Sequence, residues 1–217
     1  MREKNTTKHF VQRQSDTVQA LLFDLGGVLI DIDFNRTFDA WSVASGIAAA
    51  DIKSRYSFDS HYEAHERGEI TTSEYFESLR ASLCMNLSDA QFLAGWNALL
   101  LDEIPGVRPL LAHLQTRVPL YVFSNSNVAH QACWTRKLAA MLSHFRKVFV
   151  SSDLGLRKPD AQAFMAISSA IGIAPGNIMF FDDTRVNIVG AQHVGMQAVL
   201  TRSAADIESA LANSGIV

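Results

Sequence analysis

Asp24, Ser124-Asn125, Lys158 and Asp182-Asp183 are the residues whose types and placement could do chemistry together. Three carboxylates brought close repel one another and suit a hard divalent cation bound through oxygen, with magnesium favoured. A lysine, a hydroxyl and an amide beside a helix N-terminus suit an anion, most simply a phosphate. Each group also has a plainer reading. Asp24 could cap a turn, Ser124-Asn125 could form one, Lys158 could be a solvated charge, and Asp182-Asp183 could cap a helix. Whether they make one site depends on the elements that carry them.

Ala20–Phe23 is an apolar run too short for a helix before the pair Gly26-Gly27, and it reads as a fully buried strand ending on Asp24. Leu120–Phe123 is a strand ending on Ser124-Asn125-Ser126-Asn127, and Val148–Val150 is another, running into Ser151-Ser152-Asp153. Lys158-Pro159-Asp160 precedes a helix over Ala161–Ile171, with Asp160 as its candidate N-cap. Pro159 biases Lys158 away from helical geometry and holds it in the loop. Ile178–Phe181 is a strand ending on Asp182-Asp183; helix Arg185–Val194, strand Ala198–Leu200 and a last helix from Ala204 follow. With helices over Val107–Gln115 and Val128–Leu142, the alternation predicts an α/β fold. It is a Rossmann-like parallel sheet with right-handed crossovers and helices on both faces. The carboxyl ends of such strands share one edge, so the candidate residues converge on one crevice.

After the first strand, Ile30-Asp31-Ile32-Asp33 alternates apolar and acidic, as a short flap does. From Phe34 to Leu101 the strand signal disappears. Phe34, Phe38 and Trp41 follow helical spacing with Gly46 as a stop, and Ala48–Tyr56 and His61–Arg67 are further helical pieces. Thr71-Thr72-Ser73-Glu74 and Ser88-Asp89-Ala90-Gln91 are capping boxes ahead of two more helices. A block this long is no ordinary crossover. The expected organisation is an N-terminal extension over 1–18, a Rossmann-like core over 19–33 and 102–217, and an inserted all-helical cap over 34–101.

Composition narrows the function. Hydrophobic content of 48% and charge of 19% fit a globular protein, and a net charge of −3 gives no footprint for nucleic acid or an anionic membrane. No run approaches membrane-spanning length, and the polar N-terminus has no apolar signal core. Cys84 and Cys133 stand far apart, as free thiols in a reducing compartment do. The expectation is a cytoplasmic protein, monomer or weak homodimer, whose partner is a small molecule.

Four ordered motifs resemble those of the haloacid-dehalogenase-like superfamily. Phe23-Asp24-Leu25-Gly26-Gly27-Val28-Leu29 is similar to its first, Ser124-Asn125 to its second, Lys158-Pro159 to its third and Phe181-Asp182-Asp183 to its fourth. Asp31–Arg36 and His65–Ile70 resemble segments of bacterial α-D-glucose-1-phosphate phosphatases. The resemblance implies that Asp24 is a nucleophile forming an aspartyl-phosphate. It implies Mg2+ held by Asp24, the Gly26 carbonyl and Asp183, with Asp182 in support. Ser124, Asn125 and Lys158 would bind the phosphoryl oxygens, Lys158 also stabilising the transition state. The implied activity is a phosphatase acting on a small phosphorylated metabolite, such as a sugar phosphate.

One departure matters. Phosphatases of this superfamily mostly carry an acid two residues after the nucleophile, and here that position is Gly26. Asp31 or Asp33 on the flap is a candidate replacement. The alternatives are a metal-free 2-haloacid dehalogenase, which three carboxylates oppose by repelling a carboxylate substrate, and a catalytically silent binding protein. Arg36, His65 and Arg67 are candidate substrate contacts. His61 and His65, four apart on a helix, have zinc-compatible spacing without further ligands nearby. Trp41 and Trp96 read as core.

Overall fold

The computed structural model describes residues 17–216, so the extension expected over 1–18 lies outside the described residues except for Thr17 and Val18. The chain opens with β1 (Ala20–Phe23) and β2 (Ile30–Ile32). Five helices follow: α1 (Phe34–Ser45), α2 (Ala49–Arg55), α3 (Ser60–Glu66), α4 (Thr72–Leu83) and α5 (Asp89–Asn97). Next come β3 (Leu100–Glu103), α6 (Val107–Leu114), β4 (Leu120–Ser124), α7 (Val128–Lys137), α8 (Ala139–Leu142) and β5 (Lys147–Val150). The chain ends through α9 (Ser151–Leu154), α10 (Ala161–Ile171), β6 (Ile178–Asp182), α11 (Arg185–His193), β7 (Gln197–Leu200) and α12 (Ala204–Ser214).

Five of these strands form a parallel sheet in the order β5-β4-β1-β6-β7. The chain first builds outward from β1 on one side and then crosses to the other, so the strand order reverses between β1 and β6. In open α/β sheets, ligands bind outside the carboxyl ends of the strands at such a reversal. Alternate residues of β1 enter two cores. Leu21 and Phe23 join a cluster with Val107, Leu111, Trp134 and Ile207, while Ala20 and Leu22 join one with Phe164, Ile167 and Ile188. All four β1 residues are buried, which explains an unbroken apolar run.

The five consecutive helices have their own core of Phe38, Trp41, Ile52, Tyr75, Phe76, Leu79, Phe92 and Trp96. Trp41 and Trp96 stack at 6.0 Å, and the Trp41 indole donates to the Phe92 carbonyl at 3.1 Å. Asp33 caps α1 by accepting from the Asn35 amide, and Gly46 ends that helix in the left-handed region. Both capping boxes form, Thr71 with Glu74 and Ser88 with Gln91. Each satisfies amides that the first helical turn leaves without partners.

Two local expectations are corrected. Leu100 and Leu101 fall in the block expected to be all-helical, yet they begin β3, which pairs antiparallel with β2. The pairing partner lies far off in the chain and leaves no local signal. The helix expected over Val128–Leu142 is interrupted at Leu138, where the turn carries Leu138 and Met141 into the core. Ser151-Ser152-Asp153, to which the sequence assigns no element, forms a single helical turn too short to show periodicity. Asp160 occupies the N-cap position of α10 but its side chain makes no capping bond.

Candidate active site

The pairing of β1 with β6 brings the first two acids together. Phe23 sits opposite Phe181 in the register and the two rings stack at 4.9 Å, so the next residues, Asp24 and Asp182, emerge side by side. The Asp24 amide donates to the Phe181 carbonyl at 2.8 Å and carries the ladder to the end of the strand. Asp183 follows one residue later. Gly27, at φ 76°, sits where any Cβ would run into the Asp183 carboxylate, so glycine there lets the acid approach the turn after β1. Carboxylate oxygens of Asp24, Asp182 and Asp183 lie within 4.8 Å of one another.

Lys158 lies among them. Its Nζ is 2.8 Å from Asp24 Oδ1 and 2.7 Å from Asp182 Oδ2, and its side chain is 1% exposed. Asn125 fixes the loop that delivers it: Nδ2 donates to the Lys158 carbonyl at 2.9 Å, and Oδ1 accepts from the Lys158 amide at 2.8 Å. The Asn125 side chain, expected on a phosphoryl oxygen, thus also positions the lysine, with its second Nδ2 hydrogen outside these two bonds. Ser124, at the end of β4, is buried and borders the same cavity, with its hydroxyl in only a long 3.5 Å contact to the Asn125 carbonyl.

Asp182 is fully committed. Besides Lys158, its oxygens accept from the Thr184 amide at 2.8 Å and from Asn187 Nδ2 at 3.1 Å. Asp24 Oδ1 also takes the Leu25 amide at 2.7 Å, and Asp183 Oδ1 takes the Thr184 hydroxyl at 3.0 Å. That leaves Asp24 Oδ2 and Asp183 Oδ2 without a donor from another described residue.

Burial pushes the Asp24 carboxyl up to about 7; Lys158 opposes the rise and Asp182 adds to it. Burial also works against the Lys158 ammonium, but the Asp24 and Asp182 carboxylates hold its pKa above the usual lysine range. Asp183 is likewise raised by burial, against the bond from Thr184. One ammonium cannot balance three carboxylates. A hard divalent cation fits the surplus charge and the two uncommitted oxygens.

A cavity of about 380 Å3 opens over this centre, bordered by Asp24, Gly26, Ser124, Asn125, Lys158 and Asp183. Its remaining wall was only partly legible. Ile32, Phe34 and Glu66 line it, whereas Arg36, His65 and Arg67 do not. Arg67 pairs with Glu69 at 2.7 Å, and His65 lies against Tyr75 at 4.6 Å and bonds Thr72 at 3.1 Å. His61 is exposed, and the acidic trio is the one metal-compatible group among the described residues. Phe58, Tyr62, His130 and Val186 also line the cavity and carried no recognisable sequence signal, and Arg157 lines it beside Lys158. Arg157 Nε donates to Glu66 Oε2 at 2.8 Å and Nη1 to Glu63 Oε1 at 3.0 Å, joining the lysine loop to α3. An arginine beside the lysine was the available clue, but its partners are more than ninety residues away.

Fold and site together place three carboxylates and a lysine at the topological switch of a parallel α/β sheet. The description haloacid dehalogenase-like hydrolase matches residues 18–195, and the chain belongs to that family. It is 26% identical over 189 residues to a phosphatase of Mycobacterium tuberculosis, covering 85% of this chain and 87% of the relative. It is 24% identical over 200 residues to D-ribitol-5-phosphate phosphatase of Bacteroides thetaiotaomicron, covering 87% and 94%. A HAD family enzyme from Bacteroides thetaiotaomicron, crystallised with magnesium and inorganic phosphate, superposes with a TM-score of 0.74 at 28% identity, over 86% of this chain and 96% of that one. The two relatives named here are phosphatases, and this chain shares their hydrolase family.

Proposed function

We propose that the protein is a Mg2+-dependent phosphomonoesterase acting on a small phosphorylated metabolite through an aspartyl-phosphate on Asp24. The observation that carries this reading is Asp24 beside Lys158 Nζ at 2.8 Å, with one oxygen uncommitted and Asp183 close by. The Asp24 carboxylate attacks phosphorus in line as the ester P–O bond breaks, and the departing oxygen takes a proton from water to leave as the alcohol. Water then attacks the aspartyl-phosphate, releasing inorganic phosphate and restoring the carboxylate. Lys158 and Ser124 offset charge on the phosphoryl oxygens, while Asp182 and Asn125 hold the lysine in place. Asp24, the Gly26 carbonyl and Asp183 would hold the cation, which when bound supplies positive charge against the carboxylates and the phosphate.

This charge balance favours a phosphatase over a haloacid dehalogenase, whose carboxylate substrate three acids would repel. Sugar phosphates, glucose 1-phosphate included, are the substrates expected from the resemblance, and they belong in the assay. The helical block from α1 to α5, within the cap expected over 34–101, serves as the cap over the cavity. The test is phosphate release from a panel of monoesters with Mg2+ and with EDTA. Wild type should turn over only with the cation, Asp24→Asn should fall to background, and Asp183→Ala should need far more Mg2+. A hydroxylamine-sensitive phosphate on the Asp24 peptide would identify the intermediate. Normal hydrolysis by Asp24→Asn would overturn the assignment.

A further inference from the structure

Resting on the phosphatase reading, we propose that the substrate's leaving group is an apolar alcohol, not a polyol. Beside the acids and the lysine, the cavity is lined by Ile32, Phe34, Phe58, Tyr62, Leu99 and Val186. Three of these are apolar yet exposed: Ile32 at 40%, Phe58 at 60% and Val186 at 55%. They come from the flap, the α2–α3 loop and α11, far apart in sequence. Single exposed apolar residues need no explanation, but three converging on one cavity do. Phe58 meets Phe34 edge-on at 5.3 Å and Tyr62 at 4.9 Å, so the wall is a packed aromatic surface.

Most polar side chains of the same wall already have a partner within the protein. Glu66 takes Arg157, Asn187 donates to Asp182, and Thr184 is bonded to both Asp182 and Asp183. Ser126 Oγ accepts from the Trp134 indole at 3.3 Å. His130 uses Nδ1 on Asn97 at 3.0 Å, which leaves Nε2 as one unpartnered ring nitrogen. An aromatic wall can take the C–H face of a sugar, but the sugar's hydroxyls would still need donors and acceptors. Each one buried without a partner loses roughly tenfold in binding. An apolar alcohol has no such demand and gains from covering Phe58, Ile32 and Val186.

The test compares two esters of equal ring size and the same primary linkage, cyclohexylmethyl phosphate and glucose 6-phosphate, so that leaving-group acidity does not favour the apolar one. With Mg2+, wild type should show kcat/KM about tenfold or more higher for cyclohexylmethyl phosphate. Phe58→Ser and Val186→Ser should each cut that ratio severalfold, chiefly through KM. An equal or reversed ratio, or one that neither variant moves, overturns the proposal. Calorimetric binding of cyclohexylmethylphosphonate and glucose 6-phosphate to Mg2+-loaded Asp24→Asn gives a second readout. If neither ester is hydrolysed by wild type, the phosphatase reading fails. The binding ratio then decides the apolar preference by itself, and no preference, or no binding, overturns it.

Discussion

Ile32 lies across the space that a side chain at Gly26 would enter: a Cβ on Gly26 would meet Ile32 Cδ1 and Cγ2 at 3.3 Å. Strand alternation explains why the flap presents this residue. Ile32 borders the cavity, while its neighbours Asp31 and Asp33 do not, and Asp33 is engaged as the N-cap of α1. The position where related phosphatases place an acid is therefore a glycine covered by an isoleucine.

Asp182 pairs with Lys158 Nζ at 2.7 Å, and its removal should separate fold from function. Asp182→Asn keeps the shape but leaves Lys158 with one carboxylate instead of two. Breaking a buried ion pair typically costs about 3–5 kcal/mol, so a clear drop in Tm is expected. Turnover at saturating substrate should fall at least tenfold at a temperature where the variant is still folded. Unchanged kcat in the folded variant would show that Lys158 does not need this partner.

Arg157 ties the lysine loop to α3 through Glu66, whose side chain is 5% exposed. Burial raises the Glu66 pKa, and Arg157 and the Tyr62 hydroxyl pull it back. Arg157→Leu strands this carboxylate. Hydrogen exchange in α3 and in the loop around Lys158 should accelerate together, while β1 and β6 stay protected. Faster exchange confined to α3 would mean that the contact does not couple the two.

His65 and His130 are buried as neutral rings. Burial lowers His65 from 6.5 to about 4, and burial with His65 nearby lowers His130 from 6.5 to about 3. Below pH 6.5 the unfolded chain takes up protons that the folded chain does not. Their contribution is complete above 6.5 and is lost as the pH falls toward 4 for His65 and toward 3 for His130. The limiting slope is about 1.4 kcal/mol per histidine per pH unit. Urea unfolding at pH 7.5, 6 and 5 should show this loss, and His65→Gln should flatten it. A stability profile that is the same in wild type and variant over that range would contradict the assignment.

The acid and lysine centre was legible because a parallel sheet converts strand ends into one edge. Asp24, Ser124 and Asp182 needed only the placement of β1, β4 and β6, which their apolar runs mark. The cavity wall needed tertiary pairings that leave no local trace. β3 is a strand because β2 lies beside it, not because Leu100–Glu103 has a strand pattern. Glu66 and Arg157 are ordinary charges until the fold joins them, and the loop residue Phe58 has no periodicity to mark it. Capping boxes at Thr71 and Ser88 were readable because their physics is contained in four consecutive residues.

The pairing of Gly26 with Ile32 predicts how the rate depends on the departing alcohol. A positioned acid contributes roughly a hundred- to ten-thousand-fold, most where the leaving group is poor. Among the described cavity residues, the carboxyls outside Asp24 and Asp183 reduce to Glu66, which is held by Arg157. Wild type should therefore show a steep fall in kcat/KM as leaving-group pKa rises across a series of aryl and alkyl phosphates. Gly26→Asp alone must push Ile32 aside, so the informative variant joins Gly26→Asp with Ile32→Ala, and its slope should be markedly shallower. Ile32→Ala by itself should leave the slope steep. A shallow wild-type slope that steepens in Glu66→Gln would make Glu66 the acid and reverse the conclusion.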